Sequence, residues 1–374
     1  MADHVQNPAD DALARSIDAL LAEAGIAHQR KLVEQLIETS LGLGEDGTSR
    51  ANLKLTAAAI AEMRRAFQLF AGHEGPRKVT IFGSARTLVG DPLWEQAEAA
   101  ARSLSELGWM VVTGAGPGIM EAAARGAGPE MSLGVSIRLP MEEKPNDMIN
   151  QDGNHVAMRY FFTRKLMLVK ESSGFVCLPG GFGTLDETFE LLTLQQTGKM
   201  LPAPIVLLDR PGGDFWGGFE RFAREQLAAS GMIAEDDLDR VLITDSAEEA
   251  VEEIAGFWRN FDSLRWVPDR SATGPGAPEA EARSAAGDGE PPKYDRLVLR
   301  LRAEPTAAEI AQLNERFGEM LAEGRIETTG PVGPEVVDRD RLELPRLTLV
   351  PMPRAVGKLH RLIRAINALE SAPR

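Results

Sequence analysis

Pro179-Gly180-Gly181-Phe182-Gly183-Thr184-Leu185-Asp186-Glu187 follows an apolar run, Gly174-Phe175-Val176-Cys177-Leu178, and opens a helical pattern carried by Leu185, Phe189, Leu192 and Leu194. This order predicts a strand, a glycine turn and a helix N-terminus. Such a junction exposes backbone N–H groups at the positive end of a helix dipole, which suits a phosphate. Glycines at 180, 181 and 183 let the main chain approach an anion without Cβ clashes, and Thr184 is expected to cap the helix and donate its hydroxyl. The plainer reading is a glycine-rich turn with a threonine cap and no ligand. Glu187, expected in the first helical turn, argues for more. A carboxylate there repels a phosphate, so it better suits a centre that becomes positive during reaction, such as a ribosyl oxocarbenium ion. Asp186 reads as an ordinary first-turn acid.

Outward from this stretch, strand and helix signals alternate. Strands are predicted over Lys78 to Phe82, Trp109 to Thr113, Met131 to Leu139, Phe175 to Leu178, Pro204 to Leu208 and Val241 to Thr244, and helices include Trp94 to Leu107 and Gly118 to Arg125. Short apolar strands separated by helices imply an α/β fold: a buried, mostly parallel, Rossmann-like sheet with helices on both faces. Ligands of such sheets sit at the carboxyl ends of the strands. Residues 1–74 read as a helical region, marked by Leu13, Ile17, Leu20 and Leu21, then Leu32, Leu36 and Ile37. The sheet domain is assigned to 75–266, a Pro/Gly/Ala/Ser-rich flexible linker to 267–292 and a small α+β module to 293–374. In that module a strand is predicted at Leu297 to Leu301, a helix at Thr306 to Leu321, a strand at Leu347 to Val350 and a helix at Gly357 to Leu369, with completion by another chain an open alternative. Arg354, Lys358, His360, Arg361 and Arg364 suit either an anionic effector or, more simply, a solvated helix face.

Four segments in order, Gly83-Ser84-Ala85-Arg86, Thr113-Gly114-Ala115-Gly116-Pro117-Gly118-Ile119-Met120-Glu121, Arg164-Lys165 and the PGGxGTxxE stretch at 179–187, resemble the LOG ("Lonely Guy") family of nucleotide phosphoribohydrolases, historically labelled lysine decarboxylases. The resemblance spans about residues 75 to 262. It implies hydrolysis of the N-glycosidic bond of a nucleoside 5′-monophosphate, giving free base and ribose 5-phosphate without a cofactor. It makes Arg164 and Glu187 the catalytic pair. Gly180, Gly181, Gly183 and Thr184 would hold the phosphate, and Ser84, Arg86, Gly114, Gly116, Gly118, Met120 and Glu121 would line the rest of the nucleotide site. Arg159 is a further candidate. Glu187 would hold the ribose hydroxyls and support positive charge at C1′, while Arg164, a poor proton donor, would act electrostatically. A homodimer is also implied. Phe161 stands where short plant-type members carry methionine, and the second loop, GAGPGIME, is less glycine-rich than theirs. These departures leave the base open among cytokinin riboside 5′-monophosphate, AMP and related nucleotides. The alternative is a non-catalytic binding or carrier protein of the same fold, for a nucleotide or for molybdenum cofactor.

Composition narrows the classes further. A net charge of −15 argues against general nucleic-acid binding. The single cysteine, Cys177, lies in a predicted buried strand, which excludes a disulfide framework within one chain. No apolar run approaches a membrane span and the first residues carry no hydrophobic signal region, so a cytoplasmic location is expected. Ile119 occupies the third small-residue position of a dinucleotide fingerprint, and Gly183-Thr184 lacks the lysine of a P-loop. His4, His28, His73, His155 and His360 are too scattered to mark a metal site. Pyridoxal chemistry would need Lys165 or Lys170 as its Schiff-base lysine, and nucleotide hydrolysis accounts more simply for the acid, the arginine and the glycine loop together.

Overall fold

The computed structural model describes residues 8–138, 149, 153–267, 296–352 and 355–373. Two compact units divide the chain, residues 1–64 and 65–374. The first contains α1 (Pro8–Glu23), α2 (Arg30–Glu45) and most of α3 (Arg50–Ala71), which runs on into the second unit. Ile17 and Leu21 of α1 are buried, whereas Leu20, Leu32 and Leu36 remain exposed. Arg30 pairs with Asp18 across the α1–α2 turn.

In the second unit, β1 (Lys78–Phe82), β2 (Met110–Thr113), β3 (Ser132–Ile137), β4 (His155–Met158), β5 (Gly174–Cys177), β6 (Ile205–Leu208) and β7 (Val241–Thr244) form a seven-stranded sheet in the order β4-β3-β2-β1-β5-β6-β7. Every pairing is parallel. All residues of β1, β2, β5 and β6 are buried, as expected for strands covered on both faces. The chain moves one way from β1 to β4, returns to β5, and moves the other way to β7. Right-handed crossovers then put α4 (Pro92–Glu106) and α5 (Ile119–Ala127) on one face, joined by α9 (Ala247–Gly256), and α6 (Phe161–Lys170), α7 (Phe182–Gln196) and α8 (Phe215–Phe222) on the other. Asp91 caps α4 through Leu93 N–H at 2.8 Å, with Pro92 in the first helical position, so α4 starts two residues before the predicted Trp94. No helix among the described residues is long and apolar enough to cross a membrane.

A second, antiparallel sheet has the order β10-β11-β9-β8. Its strands are β8 (Phe261–Val267), β9 (Arg296–Leu301), β10 (Leu321–Thr329) and β11 (Arg346–Pro351). The predicted boundary at 266 therefore needs moving: Phe261–Val267 pairs with β9 and belongs to the C-terminal sheet. Completion by another chain is replaced by completion from this one. Except for Val267, the predicted linker 267–292 lies outside the described residues. The predicted helix from Thr306 to Leu321 ends at Phe317, and β10 begins at Leu321. The last helix, Val356–Asn367, docks on the sheet domain: Arg361 pairs with Asp239, Arg364 Nη2 lies 2.7 Å from Glu253 Oε1, and His360 is fully buried. Those basic side chains hold two parts of the fold together and do not form a solvated face. Arg354 lies outside the described residues. Asn367 Oδ1 accepts from Asn260 N–H and Phe261 N–H, both at 2.8 Å, which fixes the entry into β8.

Candidate active site

At the switch point between β1 and β5, where the chain's direction across the sheet reverses, the ends of the two strands are tied together. Leu178 N–H donates to Phe82 O at 2.9 Å and Ser84 N–H to Pro179 O at 3.2 Å. Ser84 O in turn accepts from Ile119 N–H at 3.0 Å. One residue's main chain thus joins the first-strand end, the glycine loop and the second loop. The Ser84 hydroxyl accepts from Arg86 N–H at 3.1 Å, and the Arg86 side chain is exposed. Gly118 (φ +69°) permits this junction, because a Cβ there would stand 2.3 Å from Ser84 O.

The glycine loop is arranged differently from its sequence reading. Gly181, and not Thr184, is the N-cap of α7, and it offers no side-chain cap. Thr184 therefore sits inside the first turn, buried, and Glu187 falls in the second. The helix starts earlier because Leu185 N–H already closes a helical bond onto Gly181 O at 3.1 Å. Among the described residues, no backbone acceptor serves the N–H groups of Phe182, Gly183 and Thr184, the orphan donors of a helix start. Positions 181 and 183 have open space around them, whereas a Cβ at 180 would meet Thr184 Oγ1 at 2.2 Å. Two glycines leave the donors accessible, and the third makes room for the threonine.

α6 and α7 lie side by side and carry the ionised groups. Lys165 Nζ is 2.9 Å from Asp186 Oδ2 and 2.7 Å from Glu190 Oε2. Partial burial works against its charge, but hydrogen bonds to Glu190 and Asp186 outweigh this and raise its pKa. An ammonium held this way does not fit the free-amine role of a Schiff-base lysine. One residue earlier, Arg164 Nε donates to Val135 O at 2.9 Å, and its Nη2 lies 3.5 Å from Gly114 O. Its Nη1 reaches to 3.9 Å from Glu187 Oε1. Burial pushes the Glu187 carboxyl up to about 7, with the Arg164 charge acting in the opposite direction. Cys177 lies fully buried at the end of β5, where burial lifts its thiol to about 12. It is packing, not a nucleophile.

The second loop shapes the space for Arg164. A Cβ on Gly114 would stand 2.0 Å from Arg164 Nη2, and one on Gly116 would stand 2.7 Å from Met120 Cε. These glycines accommodate protein side chains. Ala115, between them, is buried in the left-handed region (φ +59°), its N–H donating to Thr113 Oγ1 at 3.1 Å. Met120 and Glu121 open α5 and are half-buried. Arg159 lies outside α6, with its guanidinium 5.6 Å from the Tyr160 ring centroid. Sequence reasoning missed the carbonyls of Val135 and Gly114, which orient Arg164, because backbone acceptors carry no residue signature.

The structure thus gathers motifs from four separate segments at one end of the sheet. Residues 118–254 match the family model described as "Possible lysine decarboxylase". A cytokinin riboside 5′-monophosphate phosphoribohydrolase of Mycobacterium marinum is 29% identical over 170 residues, covering 44% of this chain and 86% of that protein. The rice (Oryza sativa) enzyme of the same name, LOG, is 27% identical over 195 residues, covering 50% and 76%. Among solved structures, a molybdenum cofactor binding protein from Rippkaea orientalis aligns over 48% of this chain and 96% of its own, at 22% identity and a TM-score of 0.34. By its family-model match over residues 118–254 and by these relatives, this region of the chain is similar to the LOG family of phosphoribohydrolases.

Proposed function

We propose that this chain hydrolyses the N-glycosidic bond of a nucleoside 5′-monophosphate, releasing the free base and ribose 5-phosphate. The carrying observation is Glu187: a largely buried carboxyl pushed up to about 7, beside an arginine and one turn into a helix whose first N–H groups have no backbone acceptor among the described residues. A phosphate on the N–H groups of Phe182, Gly183 and Thr184 would anchor the nucleotide through binding remote from the reacting bond. Its ribose would then extend towards Glu187. In the ionised form Glu187 stabilises the positive charge that grows at C1′ as the C1′–N bond lengthens and its electron pair leaves with the base. Water adds to C1′, Glu187 takes the water proton and releases it to solvent, and the departing base anion takes up a solvent proton to become the free base. A carboxyl titrating near neutrality is well matched to that transfer. Arg164 keeps Glu187 ionised more readily than burial alone would allow, and its charge also favours a departing base that is becoming negative.

Cytokinin riboside 5′-monophosphate is the substrate named for the relatives, and AMP and related nucleotides suit the same chemistry. Exposed Phe161, Phe162 and Leu166 on α6 and Phe182 and Phe189 on α7 support a homodimer formed beside the site. A cytoplasmic location accords with the one buried, reduced cysteine. The deciding experiment incubates the protein and its Glu187→Gln variant with AMP, N6-prenylated AMP and the other nucleoside monophosphates, and measures free base and ribose 5-phosphate. Release that depends on Glu187 supports the hydrolase. Tight binding with no release from any of them would sink it in favour of a carrier.

A further inference from the structure

At the opposite end of β1 from the glycine loop, the sheet domain and the C-terminal module line a half-open cleft of about 520 Å³. That volume lies within the range of small-molecule sites, roughly 300–1,000 Å³. Three guanidinium groups line it, one from each of three places in the chain: Arg77 just before β1, Arg302 just after β9, and Arg341 before β11. Arg77 lies over Trp258, with Cζ 4.0 Å from the ring centroid, and its Nη2 is 3.9 Å from Asp262 Oδ1. Arg341 pairs with the same Asp262. Arg302 binds Asn260 only through its main chain, and its exposed side chain has no hydrogen-bond or ion-pair partner among the described residues.

The other charges around the cavity are already engaged or peripheral. Lys78 Nζ donates to His73 O at 2.5 Å and Pro76 O at 3.2 Å, Glu171 Oε1 is 2.6 Å from Lys170 Nζ, and Glu74 is exposed. Arg77 and Arg341 thus lie against Asp262, Glu74 and Glu171 act on Lys78, and Arg302 is left without a carboxylate of its own. Burial and the neighbouring Arg302 charge bring Arg77 down to about 10, with Arg341 adding to the effect and Asp262 opposing it. The loop that presents Arg341 is also unusual, since Arg339 (φ +55°) and Arg341 (φ +50°) are both left-handed without being glycine. Such conformations persist where the surroundings hold them, often at ligand sites.

We propose that this cavity is a second anion site, distinct from the glycine loop, that takes a multiply charged phosphorylated small molecule. Planar guanidiniums on separate elements can each give a phosphate oxygen paired N–H donors, and a di- or triphosphate supplies the charge that Asp262 does not. The floor of the cavity is the start of β1 and the segment just after α6. Ser84 follows the far end of β1 and Arg164 lies in the first turn of α6, so an anion seated here lies about 13 Å of strand away from the catalytic end.

The probes are sodium pyrophosphate and sodium tripolyphosphate, titrated calorimetrically into the full-length protein and into three variants. Arg302→Glu should weaken tripolyphosphate binding at least tenfold and Arg302→Lys only a few-fold, both without changing the melting temperature or basal base release. Gly183→Asp, which places a negative charge in the glycine loop, should leave tripolyphosphate binding unchanged. Equal binding by wild type and Arg302→Glu, loss in Gly183→Asp alone, or no binding to wild type would each overturn the proposal. The outcome is independent of whether Glu187 supports turnover, so the two readings fail separately.

Discussion

Arg164 Nη1 stands 3.9 Å from Glu187 Oε1, close enough for strong electrostatic coupling but beyond hydrogen-bond length, while the rest of the guanidinium is spent on the carbonyls of Val135 and Gly114. The carboxylate is thereby left with lone pairs for a substrate. It is also left with a pKa set by two opposing influences, burial and one cation.

If the ionised form is the working one, kcat should rise with pH and level off above about 7, the value to which burial lifts Glu187. Arg164→Met removes the influence that lowers this pKa. The residual activity of that variant should show its acidic limb displaced above 7, in addition to a loss of about tenfold or more. A limb that stays in place while activity falls would disconnect the arginine from the carboxyl.

Glu187 also has a cost in stability. Its folded pKa lies above its unfolded one, so the native state binds the extra proton between about 4.5 and 7 and loses stability as pH rises through that window. Glu187→Gln should therefore be more stable than the wild type at pH 8 by roughly 1 kcal/mol or more, the order of a one-unit pKa shift. Urea denaturation at pH 5 and pH 8 measures this, and a variant equally destabilised at both would contradict the buried-carboxyl account.

Two glycine-to-alanine changes should separate by mechanism. Gly114→Ala puts a Cβ 2.0 Å from Arg164 Nη2, and the flexible arginine must move away. Turnover should drop steeply with little change in melting temperature. Gly181→Ala meets no atom within 4 Å in the protein, so its effect should be confined to the ligand: a raised KM for nucleotides and none for nucleosides. Steady-state kinetics on AMP and adenosine would show whether the open face of the loop is where the phosphate lies.

His360 is buried against Phe257, and neither ring nitrogen has a hydrogen-bond partner among the described residues. Burial, with the nearby charges of Arg364 and Arg240, lowers its pKa to about 3. It stays neutral when folded and takes a proton when unfolded, so stability present above pH 6.5 is lost as pH falls towards 3. His360→Leu should remove about 2 kcal/mol of the decline between pH 7 and pH 5, measured by urea denaturation. An unchanged decline would place the acid sensitivity elsewhere.

What was legible in the sequence follows burial. β1, β2, β5 and β6 are covered on both faces; β5 and β6 read as unbroken apolar runs, and β1 and β2 as apolar runs broken only by Lys78, Thr80 and Thr113. The strands that went unread, β4, β8 and β10, are all edge strands with mixed exposure; β10, Leu321–Thr329, has only two buried residues in nine. Half-exposed edges lose the hydrophobic signature that marks a strand. At the site, the glycine loop and Glu187 stand out by residue type, whereas Arg164 enters only through the family resemblance. The cap of α7 was misplaced onto Thr184, since Gly181 begins the helix by backbone conformation alone. The arginine cavity was invisible because its members, at 77, 302 and 341, meet only when the C-terminal sheet folds back.

The pairing of β8 with β9, from Phe261 opposite Leu301 to Val267 opposite Arg296, bears on how the molecule can be taken apart. Cutting the backbone anywhere between 268 and 295 severs no hydrogen bond of that ladder, so the two fragments should copurify and melt together as a complemented pair. Deleting everything after residue 267 instead strips β8 of its neighbour and leaves a raw strand edge ending in Trp266 and Val267, an invitation to self-association. A shortened protein that precipitates would therefore report an orphaned edge and say nothing about regulation by the module.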